Sequence, residues 1–196
     1  MKKFTRRLLA GAAIVAFPIV ALALDEPFRN TVTGDVLDLS TAPKEGRDTE
    51  AVKKFLETGK NPYNGVAECF PRGEYIYLSS CSGCHGHVAE GKVGPGLNDN
   101  YWTYPKNKKD KGLFETIFGG AQGMMGPHND LQMNELLLVM AWIRHLYTGP
   151  VEGASWLTKE QKASFTPYKQ PEGGEHGGTA EEAKAAPVDK CGPMAN

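Results

Sequence analysis

Apolar residues along this chain recur mostly at helical offsets. In residues 49–58, Val52, Phe55 and Leu56 share one helical face, and Gly59 supplies the stop. Residues 74–84 keep Tyr75, Tyr77, Leu78 and Cys81 at the same offsets. Residues 111–118 do so with Leu113, Phe114, Ile117 and Phe118, closed by Gly119 and Gly120. Residues 131–147 read as a long, largely apolar helix ended by Gly149 and Pro150. Its Leu136, Val139, Met140, Ile143 and Leu146 are expected to face a core. A shorter helix is expected within 156–165, where Thr158 and Gln161 form a capping pattern. Only 30–39 alternates in the manner of strands, around Thr33, Gly34 and Asp35, and it predicts a small hairpin. Turn chemistry fills 61–65, and glycine-rich loops fill 86–104 and 119–127. From Gln170 on, Gly, Glu, Ala and Pro dominate without a core pattern, which predicts a tail lying along the surface. No internal repeat appears, so the fold expected is mainly α, one domain with extensions.

The N-terminus reads as an export signal. Lys2, Lys3, Arg6 and Arg7 precede an uncharged stretch over 8–24, and Ala21, Leu22 and Ala23 offer a small-x-small cleavage site. Pro18 and that site favour removal over a retained span, which gives a periplasmic protein with no integral membrane segment after cleavage. Residues 1–23 hold four basic and no acidic side chains, so the chain beyond them carries 18 basic against 23 acidic residues, a net charge of −5. That balance argues against nucleic acid and favours faster association with a basic protein surface.

Within this frame the run Cys81, Ser82, Gly83, Cys84, His85 is the C-x-x-C-H signature of covalent c-type haem attachment. Two thiols three positions apart on a helical turn can form thioethers to the haem vinyl groups, and the next residue offers an imidazole to the iron. A zinc clip of Cys81, Cys84 and His85 or His87 competes, but it needs a fourth ligand from Cys69 or Cys191. A thioredoxin-like dithiol lacks the alternating strand and helix pattern. The two remaining cysteines, Cys69 and Cys191, are an even pair in an oxidising compartment, and a disulfide is the default. It would close a loop of more than a hundred residues, worth on the order of 5 kcal/mol by chain entropy. Free or intermolecular thiols are the alternative.

The second axial ligand is sought about forty residues beyond His85, among Met124, Met125 and His128. A Met/His iron has a raised potential and no open position, which suits electron transfer. Met125, beside Gly126 and Pro127, is favoured, and Met124 is then a core methionine. His128 would give a bis-His site of lower potential. Met133 and Met140 are read as helix core. Around Pro95, in the run Gly94, Pro95, Gly96, a backbone carbonyl is expected to accept the His85 Nδ1 proton. Trp142 is expected beside the haem, and residues 101–104 offer donors for its propionates. The lysine-rich stretch 106–111 reads as a solvated loop, His145 as a surface or satisfied helix histidine, and His176 as part of the polar tail. No arrangement for hydrolytic or acid–base catalysis stands out, and an electron carrier, which makes and breaks no substrate bonds, is not read as an enzyme.

The stretches CSGCHGHVAEGKVGPGLNDNYWTYP, GLFETIFGGAQGMMGPH and MAWIRHLYTGP resemble the cytochrome c-L family. These proteins are the class I c-type cytochromes that accept electrons from periplasmic quinoprotein methanol dehydrogenase. The likeness extends to FRNTVTGDVLDLS, EGRDTEAVKKFLETGKNPY and ASWLTKEQKASFTPYKQ, most of the chain after the signal. It implies a class I cytochrome c fold, with helices around one covalently bound haem and N- and C-terminal extensions. The division is then 1–23 signal, 24–65 N-terminal extension, 66–150 haem domain and 151–196 C-terminal extension. The resemblance implies His85 and Met125 as axial ligands, Cys69 paired with Cys191, and in some members a calcium ion near a haem propionate. It also implies a monomer that takes electrons from methanol dehydrogenase, of calcium or lanthanide type, and passes them to a downstream cytochrome c or oxidase. The alternatives are a cytochrome serving another periplasmic dehydrogenase, or a catalytic or gas-binding haem protein with five-coordinate iron. Departures from the family pattern are the basic 106–111 stretch, the absence of a Thr-Pro start to the last long helix, and the tail from Gly173.

Overall fold

The computed structural model describes residues 26–170 and 178–193, so the signal segment and His176 lie outside the described residues. Eight α-helices run through them: α1 (Glu50–Thr58), α2 (Phe70–Ser80), α3 (Ser82–His85), α4 (Asp110–Gly119), α5 (Met133–His145), α6 (Lys159–Ala163), α7 (Ala180–Ala185) and α8 (Val188–Cys191). No strand forms among the described residues; the expected hairpin is reduced to one antiparallel bridge between Arg29 and Val36. Two backbone bonds across a tight turn, Asn30 N–H to Asp35 and Leu37 N–H to Phe28, hold it. Its outer residues Val32 and Val36 are exposed, so no sheet partner extends the ladder.

The helices begin and end where local chemistry dictates. Thr49 caps α1 by accepting the Val52 N–H, and Gly59 ends it in the left-handed conformation. Gln132 donates its N–H to the Glu135 carboxylate, so half of a capping box starts α5 in place of a Thr-Pro cap. Thr158 and Gln161 cap α6 reciprocally.

The core is centred on α5, which is buried over almost its whole length, including Leu136, Val139, Met140 and Ile143. Met133 and Met140 are both interior. Helix α2 crosses α5 at Gly73, where a Cβ would lie 2.9 Å from Trp142 Cβ and nearer still to the Leu138 carbonyl. Glycine alone permits that approach. The N-terminal segment joins the same core through Phe28, Phe55 and Phe114, whose ring centroids are 5.0–5.7 Å apart.

The lysine-rich stretch is not a solvated loop. It forms a 3-10 turn, Pro105–Lys108, and the start of α4. Lys106 pairs with Glu115 at 2.7 Å, Lys111 reaches the Glu26 carbonyl, and Asn107 and Asp110 are buried.

The tail departs most from expectation. Instead of lying unstructured on the surface, residues 178–193 make α7 and α8, with Ala183, Ala186 and Cys191 buried. Three devices hold them. Cys191 is disulfide-bonded to Cys69, with Cα atoms 5.4 Å apart. Asn134, fully buried on α5, donates to Cys191 O at 2.9 Å and accepts from the Tyr63 hydroxyl at 2.7 Å. Arg72, 1% exposed, donates to Ala183 O at 2.9 Å, to Ala186 O and to Gly192 O. These carbonyls lie at the C-terminal ends of α7 and α8, where helix carbonyls lack partners and carry partial negative charge.

Arg72→Met would keep much of the packing and strip those three carbonyls of their donor. Stability in denaturant titration is expected to fall by about 3 kcal/mol. Amide exchange over 180–192 should accelerate while the disulfide remains closed.

Candidate functional site

Helix α2 delivers the C-x-x-C-H run, but not as one continuous helix. It ends at Ser80, Cys81 takes φ −122° and ψ −35°, and α3 restarts at Ser82. The helix expected over 74–84 therefore starts earlier and breaks at the first cysteine. Two hydrogen bonds fix the break: Ser82 Oγ to Leu78 O at 2.7 Å, and the buried Tyr77 hydroxyl to Gly86 O at 2.8 Å. Cys81 is half-buried, Cys84 is exposed, and neither is in a disulfide. Burial, and then the adjacent Cys84 thiol, push the Cys81 thiol up to about 12. Cys69 and Cys191 are bonded to each other, so neither can complete a zinc clip.

The loop after α3 folds back on the motif. Gly91 N–H donates to His85 O at 2.7 Å and Gly94 N–H to Cys84 O at 2.9 Å. His85 Nδ1 lies 2.8 Å from Pro95 O; a carbonyl only accepts, so Nδ1 carries the proton and Nε2 keeps its lone pair. Gly94 is required by contact: a Cβ there would stand 2.8 Å from His85 Cε1 and 3.0 Å from Nδ1.

His85, Cys81 and Cys84 line a cavity of about 410 Å³. That is within the size range of small-molecule and cofactor sites. The 120–127 loop lines the same cavity with Met124 and Met125, and His128 follows. Met125 is half-buried and packs against the core, whereas Met124 is 82% exposed. The expectation of Met124 as a core methionine is therefore corrected: its side chain lies at the mouth. The loop is pinned by Ala121 N–H to Met125 O at 3.0 Å, Gln122 N–H to the Tyr104 hydroxyl at 3.0 Å, and His128 N–H to Ile117 O at 3.0 Å.

Trp102, Leu113, Ile117 and Ile143 add apolar wall, with Thr103, Tyr104 and Asn107 as polar members. Trp142 is not among the lining residues; it packs toward Phe70 and His145, and Trp102 takes the wall position instead. Sequence offsets placed Trp142 on the apolar helix, but α5 is buried all round and periodicity cannot choose between its faces. His145 is stacked on Phe70 at 4.2 Å, and burial holds its imidazole below the usual histidine value. Val93, at the cavity wall, is 69% exposed, so with Met124 it makes an apolar rim around an open mouth.

The residues present fit a covalently held haem. A half-buried and an exposed thiol are both free to form thioethers, and they line the cavity together with an oriented imidazole and a thioether side chain.

Comparison with known proteins agrees with that geometry. Residues 70–143 match the family model described as cytochrome C oxidase, cbb3-type, subunit III. The chain is 60% identical over 170 residues to cytochrome c-L of Methylorubrum extorquens, covering 84% of this chain and 85% of that protein. It is 34% identical over 94 residues to cytochrome c-551 of Bacillus subtilis, covering 48% of this chain and 75% of the relative. Among solved structures, cytochrome cL from Hyphomicrobium denitrificans is 61% identical with a TM-score of 0.71, over 82% of this chain and 96% of that one. Cytochrome CL from Methylophaga aminisulfidivorans is 59% identical with a TM-score of 0.71, over 75% of this chain and 98% of that one.

Gly94→Ala is expected to push the His85 imidazole off the Pro95 carbonyl. The measurement is the Nδ1 proton resonance of His85 by NMR, which should shift or broaden, with a lowered thermal midpoint. An unchanged resonance would show that the loop yields instead of the ring.

Proposed function

We propose, from the premise that this chain belongs to the cytochrome c-L family, that it takes electrons from a quinoprotein methanol dehydrogenase. Membership makes it a mainly α-helical c-type cytochrome of methylotrophy, an electron carrier with covalently bound haem c and not an enzyme. When bound, the haem supplies a one-electron iron couple. We assign Cys81 and Cys84 to its thioethers and His85 Nε2 to one axial position, with Pro95 O orienting the ring. Met125 is assigned to the other axial position, ahead of His128 and Met124. The haem domain is assigned to 66–150, between the N-terminal extension and the disulfide-tethered C-terminal one.

The observation that carries the reading is the open, apolar-rimmed mouth of the cavity holding these groups, where Val93 and Met124 are exposed. A partner seated there would bring its own redox group to the exposed edge of the site. A two-electron donor would then be emptied in two encounters, and each electron passed on to a downstream cytochrome c or oxidase. The acidic balance after the signal favours a basic partner face and acts chiefly on the encounter rate. Periplasmic residence after loss of 1–23 and a monomeric state complete the proposal. Among the described residues no helix is long and apolar enough to cross a membrane. Among them, too, no group of three or more His, Cys, Asp or Glu side chains is placed to share a metal, so the calcium of some family members is assigned no ligands here.

Anaerobic mixing of the oxidised holoprotein with quinoprotein methanol dehydrogenase and methanol should give rapid, saturable haem reduction that needs both. The rate is expected to fall steeply with added salt. Failure with both calcium and lanthanide enzymes, for a protein that ascorbate reduces, would redirect the search to other periplasmic dehydrogenases.

Met125→Ala is expected to remove the thioether–ferric charge-transfer band and lower the reduction potential, while Met124→Ala leaves both in place. Loss of the band in His128→Ala instead would reassign the ligand.

A further inference from the structure

One charged pair in the interior has no part in holding the haem, yet it abuts the wall of its cavity. Arg144, in the last turn of α5, and Asp110, at the start of α4, are joined by Nε to Oδ1 at 3.2 Å, and each side chain is 2% exposed. Arg144 Nη2 donates to Asn107 O at 2.7 Å, and Nη1 has no partner. The guanidinium lies over the Trp102 ring at 5.1 Å and the Trp156 ring at 4.2 Å. Both Trp102 and Asn107 line the haem cavity, as does Ile143, the residue before Arg144.

Asp110 faces the other way. Its carboxylate accepts the Asn61 N–H at 3.0 Å and the Asn64 amide at 2.8 Å, and neither residue lines that cavity. The pair is thus a buried dipole with its positive end one indole ring from the cavity. Replacing a buried pair with apolar residues is often neutral or stabilising, so stability alone is a weak account of it. Its field, by contrast, is screened less than that of a surface pair, because each side chain is 2% exposed.

We propose that this pair tunes the reduction potential, with Arg144 holding it up and Asp110 moderating the effect. The inference rests on the haem occupying the cavity described above. Ferric haem carries one more positive charge than ferrous haem. A nearby buried cation therefore destabilises the ferric state and raises the potential, and a nearby anion does the reverse. Trp102 spaces the guanidinium from the site, and Asn107 anchors it.

The test is spectroelectrochemical titration of the holoprotein. Arg144→Met should shift the midpoint to lower potential and Asp110→Asn to higher potential, whereas Arg144→Lys, which keeps the charge, should stay close to the parent. Should Arg144→Met not assemble, Arg144→Gln keeps polarity and near size and makes the same prediction. A purely structural role would move the Arg144 and Asp110 variants in the same direction or not at all. That result, with covalent haem and the axial-ligand band intact, overturns the proposal. A parent protein without covalent haem would instead fail the haem reading itself.

Discussion

The approach of α2 to α5 at Gly73 is the constraint on which the rest of the molecule depends. Because no side chain separates the two helices there, the α2 backbone rests on the Leu138 carbonyl and the Trp142 stem. Close packing of this kind leaves few alternative registers, since a shift along either helix would bring side chain against backbone. The C-terminal end of α2 then places Cys81, Cys84 and His85, while Ile143 on α5 supplies wall to the same cavity. A side chain at position 73 would disturb the cofactor site without touching it.

A domain built around a large cavity has less side-chain core of its own, and here cohesion comes partly from buried polar groups. Asn134 ties Tyr63, before α2, to Cys191 in the tail. Arg72 gathers two helix C-termini, and Asp110 gathers Asn61, Asn64 and Arg144. Each group is costly to bury alone and inexpensive once its partners are in place. Such knots make the docking of the N- and C-terminal segments cooperative with the helices around the cavity. The disulfide adds to this by restricting the unfolded chain more than by creating new native contacts.

Local signals in the sequence were legible where one residue suffices to cause the feature. Thr49 and Gly59 bracket α1, Thr158 and Gln161 open α6, and the C-x-x-C-H run stands where α2 ends. Pro95 was legible as well: a carbonyl ten residues past the C-x-x-C-H histidine was expected to meet it, and Pro95 O lies 2.8 Å from His85 Nδ1. Features set by distant partners were hidden. The break at Cys81 depends on Tyr77 reaching Gly86 and Ser82 reaching Leu78. The tail helices are short, poor in large apolar residues, and held by the disulfide and by Arg72 and Asn134 meeting their carbonyls. Nothing in the composition of 178–193 announces an arginine more than a hundred residues away. Asp110 was read within a solvated lysine-rich stretch and Arg144 drew no reading, yet the fold brings them together. A salt pair 34 residues apart leaves no periodic trace.

The division of labour that results suits a carrier on the function proposed here. Attachment and the His85 orientation sit on helix and tightly bonded loop, so the iron's surroundings need change little when its charge changes. The rim around the mouth is apolar but small, and on that function the acidic excess beyond residue 23 would draw a basic partner face. Long-range attraction speeds encounter, and a modest apolar contact limits how long the complex lasts. A carrier that bound its donor through a large buried interface would gain affinity and lose turnover, because it must leave before the next electron can follow. On this argument, specificity is better placed in the electrostatics and shape of the mouth than in tight binding, and the potential is set from behind the wall, where a partner's arrival does not disturb it.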